Sequence, residues 1–551
     1  MSKERKRLGN LLVEAGLITA EQLQETLMTK KDGQKLGHAL IERNYLSEEQ
    51  LIEVLEYQLG IPQIRLYRYP IDTTLMSVVS KEFALRNELI PIKKEGNRLY
   101  VAMADPMDYF AIDDLRLATG YQIETMIAAR EEIAQAIHKY YTLEDSIFDL
   151  DVTEEELESV IRQEDDDAPA IKLVNQILLL GLKQHASDIH VDPQDKHLLI
   201  RYRVDGVLKT ERAFPKNIQN VLVARIKIMA NLNITETRLP QDGRINVTLE
   251  GMPVDLRIST LPTVFGERIV IRILDLGSKR TMLSQLGFNK INYQKFIKLI
   301  EQPSGMILIT GPTGAGKSST LYAALTHLNT DHVNIITIED PVEYQMEGIN
   351  QVQVNSQIGL TFATGLRSIL RQDPNIIMVG EIRDLETAEI AIRASLTGHL
   401  VLTTLHTNSA IATVPRLLDM GIEPYLVVSS ITGIVAQRLV RQLCQECKEI
   451  VTLTEMELEL FEKRGMDADS IYKAKGCPHC GGTGYKGRLA IHEVLVIDDE
   501  MRQMLMNKQP VSMIREYALR SGMIFLIDDG LFKVKQGLTT IEEIMRVVVN
   551  E

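Results

Sequence analysis

No stretch of this sequence approaches the roughly 18 uninterrupted apolar residues that a membrane-spanning helix needs, so no transmembrane segment is expected. The opening Met-Ser-Lys-Glu-Arg-Lys-Arg is basic, but Asn10, Glu14, Glu21 and Gln22 break up the next stretch, which excludes the apolar centre of a signal peptide. A cytoplasmic location is the expectation. Positive charge is outnumbered: 61 Lys and Arg stand against 75 Asp and Glu, a formal net charge of −14. That balance disfavours generic binding to polyanions, nucleic acid and anionic lipid alike. Basic runs interleaved with aromatics are missing too, so no direct nucleic-acid partner is expected. Cysteine is confined to Cys444-x-x-Cys447 and Cys477-x-x-Cys480. Four thiols in two such pairs exclude a disulfide framework in a cytosolic chain and point to metal. They suffice for a tetrahedral zinc site with no open position, which is a structural and not a catalytic arrangement.

What is present divides the 551 residues into several domains, at about 100 to 200 residues each. Residues 1–70 carry an internal repeat. Arg7-Leu8-Gly9 returns as Lys35-Leu36-Gly37, and Thr19-Ala20-Glu21-Gln22 returns as Ser47-Glu48-Glu49-Gln50. Thr19–Gln22 and Ser47–Gln50 each read as a capping box opening a helix, so two copies of helix, turn, helix are expected, packed on each other. Residues 71–144 switch to a small α/β pattern, with strands expected over 89–92, 99–103 and 121–127. Residues 145–167 are acidic and read as a solvated linker. A second α/β domain is expected over 168–278. It opens with a helix over 171–182 and has strands over 188–191, 198–204, 244–249 and 254–259, with Gly206, Gly243 and Gly251 as turns. From 279 to 551 apolar strands alternate with helices, the signature of a parallel sheet, with the cysteine subdomain at 444–482 inside it.

The chemistry centres on one strand, loop and helix. The apolar run 306–310 leads into Gly311-Pro312-Thr313-Gly314-Ala315-Gly316-Lys317-Ser318, and a helical stretch starts with Ser319. Glycines there let backbone N–H groups close around phosphate oxygens, and the helix start adds favourable potential. Lys317 is expected on the β/γ-phosphates of ATP and the Ser318 hydroxyl on Mg²⁺.

Two further strands end in carboxylates, where a parallel-sheet nucleotide site needs them. One runs into Glu339-Asp340-Pro341-Val342-Glu343 and the other into Gly380-Glu381-Ile382-Arg383-Asp384. Gly380 occupies the place where most phosphate-loop enzymes carry Asp. Glu381 is therefore the first choice for polarising the attacking water or holding Mg²⁺ through water, and Glu339 the second. His399 and His406 bracket a further apolar strand. Either could sense the γ-phosphate, or serve only as a hydrogen-bonded structural histidine; His406 is carried forward as the candidate.

At these residues the chain resembles the type II secretion and type IV pilus ATPase family. The matching segments are 311–318, 338–343, Leu370-Arg371-Gln372-Asp373-Pro374, 380–384 and 397–408. Ser187-Asp188-Ile189-His190, Arg203-Val204-Asp205-Gly206 and Leu239-Pro240-Gln241-Asp242-Gly243-Arg244 extend it back to about residue 168. The resemblance implies a homohexameric ring that binds ATP between a PAS-like domain (168–278) and a RecA-like domain (279–551). Arg257 and Arg272 of the former would reach the phosphates on closure. It also implies a zinc subdomain at the four cysteines and a motor that turns or lifts an inner-membrane platform protein. Pilus extension, a secretion pseudopilus and a DNA-uptake pseudopilus are all compatible with it. A pure retraction motor is disfavoured, since such members generally lack the cysteines and the long N-terminal extension. The rivals are a nucleic-acid translocase, disfavoured by charge, and a second-messenger sensor with a dead ATPase, disfavoured by intact Lys317, Ser318, Glu339 and Glu381.

The N-terminal repeat is similar to a cyclic-di-GMP-binding module of some of these ATPases, in which Arg-Leu-Gly opens each half and Gln closes it. This chain has Arg7-Leu8-Gly9 with Lys30 at the first closing position, and Lys35-Leu36-Gly37 with Gln58 at the second. Cyclic-di-GMP is therefore a candidate ligand, and a purely structural docking repeat is the alternative.

Overall fold

The computed structural model describes residues 8–30, 36–43, 45–141, 169–249, 251–274 and 282–548. Within the third range residues 48, 49, 51, 53, 55, 57–59, 67, 68, 70, 73, 74, 77 and 107 are excepted. Arg7, Lys35, Gln58 and the acidic segment 145–167 lie outside the described residues. By its internal contacts the chain divides into two compact units. One holds residues 1–202, 208–245 and 257–272; the other holds 203–207, 246–256 and 273–551. Among the described residues, no helix is long and apolar enough to cross a membrane.

The N-terminal helices Leu8–Glu14, Ala20–Thr29 and Leu36–Glu42 pack around Leu12, Ile18, Leu40, Leu46 and Val54. Both capping boxes form. Thr19 N–H donates to Gln22 Oε1 at 2.8 Å and Gln22 N–H to Thr19 Oγ1 at 3.2 Å. Ser47 N–H donates to Gln50 Oε1 at 3.0 Å and Gln50 N–H to Ser47 Oγ at 3.2 Å. Each box satisfies two amides that a helix start leaves without partners.

A small α/β layer follows, with β1 (Leu89–Glu95), β2 (Arg98–Met103) and β3 (Gln122–Ile127) in the order β1-β2-β3. β1 and β2 are antiparallel; β2 and β3 are parallel, with helix Tyr109–Thr119 crossing between them. The three expected strands are present; their order and directions were not expected from the sequence.

The next sheet contains β4 (Ala186–Pro193), β5 (His197–Val204), β6 (Val207–Pro215), β7 (Gln241–Leu249), β8 (Met252–Thr263) and β9 (Gly266–Leu274). Their order is β6-β5-β4-β9-β8-β7. Helix Pro169–Lys183 precedes them, and helix Ile218–Met229 separates β6 from β7. Gly206 and Gly251 turn as expected, with φ of 82° and 81°. Gly243 does not: it lies within β7, where an added Cβ would stand 2.8 Å from Ala230 O, so close approach and not a turn demands glycine there.

The last sheet contains β10 (Gly305–Thr310), β11 (Ile335–Glu339), β12 (Asn350–Gln353), β13 (Ile376–Val379), β14 (Leu400–Leu405) and β15 (Ile431–Leu443). A two-stranded ribbon, β16 (Lys448–Thr452) and β17 (Ser470–Ala474), is followed by β18 (Tyr485–Val496), which returns to the sheet. The order is β12-β11-β13-β14-β10-β15-β18; all pairings are parallel except β15–β18. Strands β10, β13 and β14 are buried along their whole length because helices cover both faces. That burial explains the continuous Ile, Leu and Val runs. The expected parallel α/β class holds, with β18 as the antiparallel addition.

Candidate nucleotide site and cysteine cluster

The C-terminal ends of β10, β11, β13 and β14 come together at one edge of the sheet, in the second compact unit. β10 delivers the loop 311–316, and helix Lys317–Leu328 starts directly after it. Ala315 is buried beneath the loop, whereas Pro312, Thr313, Gly314, Ser318 and Ser319 are exposed on its outer side. Lys317 is buried, its Nζ donating to Gly311 O at 2.8 Å and Pro312 O at 3.1 Å. Burial pulls its ammonium down to about 8; the Glu381 carboxylate opposes this and the Arg438 guanidinium adds to it.

Glu381 follows β13 by two residues. Arg383 Nη2 lies 2.5 Å from its Oε1, and His406 Nε2 lies 3.4 Å from its Oε2. Burial raises the Glu381 carboxyl, but Arg383 and His406 outweigh it and hold the group below the usual carboxylate range. The ionised form is thus secured beside the loop lysine. Thr310 at the end of β10 and Thr407 just past β14 share a hydroxyl contact at 2.5 Å, which ties the loop's base to the His406 segment. His399 is used otherwise: its Nδ1 sits 2.9 Å from Ala394 O, against the end of helix Leu385–Leu396.

Glu339 is in a different situation. It is 4% exposed, and its oxygens are taken up by Tyr322 Oη, Thr337 Oγ1 at 2.6 Å and Gln351 Nε2 at 3.2 Å. Burial, with the bond to Glu339, pushes the Tyr322 hydroxyl well above its ordinary value, which keeps it a donor. Glu339 is built into the joint between helix 317–328, β11 and β12. The carboxylates open to solvent at this strand end are Asp340, 3.9 Å from Arg383 Nη1, and Glu343. The sequence singled out Glu339 over Glu343 because it ends the apolar run; only tertiary contacts reveal that Glu339 is enclosed.

Gly380 also gains a reason. Its N–H donates to Ile338 O at 2.8 Å, and an added Cβ would lie 3.3 Å from that oxygen and 3.4 Å from Glu339 Cα. β11 and β13 lie close here, so an Asp would need its neighbours to give by a few tenths of an ångström, and the first carboxylate after β13 is that of Glu381.

Arg257 on β8 is half-buried, and Arg272 on β9 pairs with Asp188 of β4, Nε to Oδ1 at 3.0 Å. Both belong to the first unit, and the loop belongs to the second.

The four cysteines converge. Their Sγ atoms all lie within 4.8 Å of one another, and three pairs are 3.9, 3.9 and 3.8 Å apart. A tetrahedral zinc with bonds of about 2.3 Å requires sulfur separations of about 3.8 Å, so the cluster fits such an ion. Cys477 N–H and Gly484 N–H donate to Cys480 Sγ at 3.2 and 3.1 Å. Burial raises the Cys480 thiol, but these donors outweigh it and bring it to about 7. His479 is exposed and meets Lys486 Nζ at 2.9 Å, outside the cluster.

In the N-terminal repeat, Gly9 is buried; an added Cβ there would stand 2.7 Å from Leu23 Cδ1 and 3.2 Å from Leu36 Cδ2. Its smallness is used for helix packing. Gly37 is buried as well, and Leu8 opens the first helix.

A parallel sheet with a glycine loop and lysine between β10 and its helix, and an ionised carboxylate just past β13, with β14 between the two strands, defines a phosphate-loop nucleotide hydrolase with a RecA-like sheet. Residues 163–546 match the family model described as type II/IV secretion system protein, and residues 59–147 match the MshEN domain. The chain belongs to the type II/IV secretion system protein family, and it is an ATPase of that family. It is 44% identical over 557 residues to the type IV pilus assembly ATPase PilB of Myxococcus xanthus, covering 98% of each chain. It is 50% identical over 385 residues to the type II secretion system ATPase E of Vibrio cholerae, covering 70% of this chain and 76% of that one. In fold it is similar to the ATPase DotB of Yersinia pseudotuberculosis, with a TM-score of 0.52 at 20% identity over 68% of this chain and 93% of that one. The MshEN match begins just after Gln58, so it covers the small α/β layer and not the Arg7–Gln58 repeat.

Proposed function

We propose that this protein is a cytoplasmic motor that hydrolyses Mg²⁺-ATP to assemble type IV pili, working as a homohexameric ring against an inner-membrane platform protein. The observation that carries the reading is the pairing of an intact phosphate loop and ionised Glu381 with similarity to a pilus assembly ATPase along 98% of both chains. Lys317 and the loop amides of 311–316 would hold the phosphates, with Ser319 flanking them. Ser318, exposed on the first turn of its helix, would hold Mg²⁺, whose role is to neutralise phosphate charge. Glu381 would orient the attacking water, His406 would stand beside it, and Glu339 would brace the site from behind. Arg257 and Arg272 would join the phosphates when the PAS-like and RecA-like domains close, Arg272 exchanging its Asp188 partner for phosphate oxygens. The cysteine cluster would hold a structural zinc ion. The repeat around Arg7, Lys35 and Gln58 would take up cyclic-di-GMP as a regulator.

Assembly of a type II secretion pseudopilus is the second reading, favoured by the 50% identity to a secretion ATPase over the catalytic part. Complementation separates the two. A strain lacking the protein should lose surface pili, recover them with the wild-type chain, and stay bald with Lys317→Ala. Intact piliation combined with retained exoproteins would establish the secretion role instead.

A further inference from the structure

Strand β15 is mainly apolar; its other polar side chains, Thr432, Arg441 and Gln442, are half-buried, whereas the adjacent pair Gln437 and Arg438 is buried at 1% and 5% exposure. Two polar side chains in the middle of an apolar strand need partners, and both find them around the phosphate loop. β15 runs parallel to β10 with Ala436 opposite Thr310, so Gln437 stands one residue beyond the point where β10 turns into the loop. Its Nε2 donates to Ala315 O at 2.8 Å, and its Oε1 accepts from Thr320 Oγ1 at 2.7 Å. One amide thus bridges the last peptide of the loop and the first turn of its helix. Arg438 Nη1 holds Gln437 O at 2.9 Å, and its Nη2 holds Asn408 O, beyond His406, at 2.6 Å.

We propose that Gln437 is a positioning residue for nucleotide binding. Its side chain fixes the Ala315–Gly316 peptide so that the Gly316 N–H faces the phosphates. The argument is one of peptide geometry. In a trans peptide the C=O and the following N–H point in opposite directions. An amide that holds Ala315 O down against β15 therefore turns the Gly316 N–H up, into the concave side of the loop, where it can donate to an anion. Gly316 has φ of 84°, and an added Cβ would stand 2.8 Å from Gln437 Nε2. The glycine thus leaves space for this side chain as well as adopting a left-handed backbone. Only a group with a donor at one end and an acceptor at the other serves both Ala315 O and the Thr320 hydroxyl. Glutamate, of the same size, keeps the acceptor and loses the donor.

The inference rests on reading 311–318 as the nucleotide site. Its test is ATP titration and steady-state kinetics on the full-length protein, comparing Gln437→Glu, Thr320→Val and Lys317→Ala with wild type. Because the loop amides hold phosphate in ground and transition states alike, Gln437→Glu should raise Kd and KM for ATP about tenfold, with kcat within about threefold. Thr320→Val, which frees one end of the Gln437 amide, should move KM the same way by less. The double variant should be no worse than Gln437→Glu alone. Should Gln437→Glu fail to fold by circular dichroism, Thr320→Val decides. A fall in kcat with unchanged KM, or ATP affinity equal to wild type in the folded variants while Lys317→Ala has lost it, overturns the proposal alone. Undiminished ATP binding by Lys317→Ala overturns the site itself.

Discussion

His406 and Glu381 face each other across 3.4 Å at the ends of neighbouring strands β14 and β13, Nε2 to Oε2. The contact joins the segment after β14, which Thr407 ties back to Thr310 beneath the phosphate loop, to the carboxylate whose charge acts on Lys317. The arrangement leaves Glu381 ionised and half-screened from solvent, as a group that polarises water must be.

Glu381→Gln should bind ATP with near-normal affinity yet lose about 10²- to 10⁴-fold in kcat, the range for removing a positioned base. Glu339→Gln should behave differently. It keeps an acceptor for Tyr322 or Thr337 but brings a donor amide into an enclosed site, so its first effect should be on the melting temperature. Stopped turnover in Glu339→Gln with an unchanged melt, and normal turnover in Glu381→Gln, would reverse the two assignments.

The depressed Lys317 gives ATP affinity a pH dependence of definite sign. With its ammonium at about 8 in the free protein, part of the population is neutral at mildly alkaline pH. Phosphate favours the charged form, so binding takes up a proton and affinity should fall as pH rises through about 8. At lower pH the lysine is already charged and contributes no slope. Isothermal titration in two buffers of different ionisation enthalpy would report the proton; its absence at pH 8.5 would show that Lys317 is fully charged before ATP arrives.

His492 should make stability acid-sensitive. The ring is fully enclosed, stacks on Phe288 with centroids 3.7 Å apart, and has neither ring nitrogen hydrogen-bonded. Burial, with Lys533 nearby, holds its pKa well below 6.5. The unfolded chain therefore binds this proton first, and stability should decline as pH drops below about 6.5, by about 1.4 kcal/mol per unit from this group. His492→Phe should flatten that limb in denaturant titrations at pH 7 and pH 5.5. An unchanged slope would assign the acid sensitivity to other groups.

One zinc per chain is the expected content of the purified protein. A structural zinc site can carry roughly 10 to 16 kcal/mol of binding energy, so Cys477→Ser should destabilise the 444–482 segment and expose it to protease. Freely reactive thiols with no metal by mass spectrometry would remove zinc from the account.

Local chemistry was the legible part. The phosphate loop, the two capping boxes and the C-x-x-C pairs are contiguous patterns whose meaning does not depend on the rest of the chain. The parallel sheet was legible because β10, β13 and β14 are buried on both faces and so read as continuous apolar runs. β6 and β9 were not anticipated: Val207–Pro215 carries Lys209, Glu211 and Arg212, and Gly266–Leu274 carries Glu267, Arg268 and Arg272, charges that interrupt the apolar pattern even though Arg212 and Glu267 are buried in the fold. Gly243 was taken for a turn because nothing in sequence signals that Ala230 passes 2.8 Å away. The different surroundings of Glu339 and Glu381 depend on Tyr322, Gln351, Arg383 and His406. Gln437 reaches Ala315 from 122 positions along the chain, a separation that hides it from any motif.

The crowding at Gly380 limits how this enzyme can be redesigned. A variant intended to add an acidic group after β13 at position 380 needs β11 to give by a few tenths of an ångström, since Ile338 O and Glu339 Cα stand 3.3 and 3.4 Å from the new atom. Strand separation thus acts as a gauge on the chemistry, favouring hydrogen at that step and leaving the duty to the next residue. Substitution is less confined on the Ser318 side of the loop, where Ser318 and Ser319 are exposed.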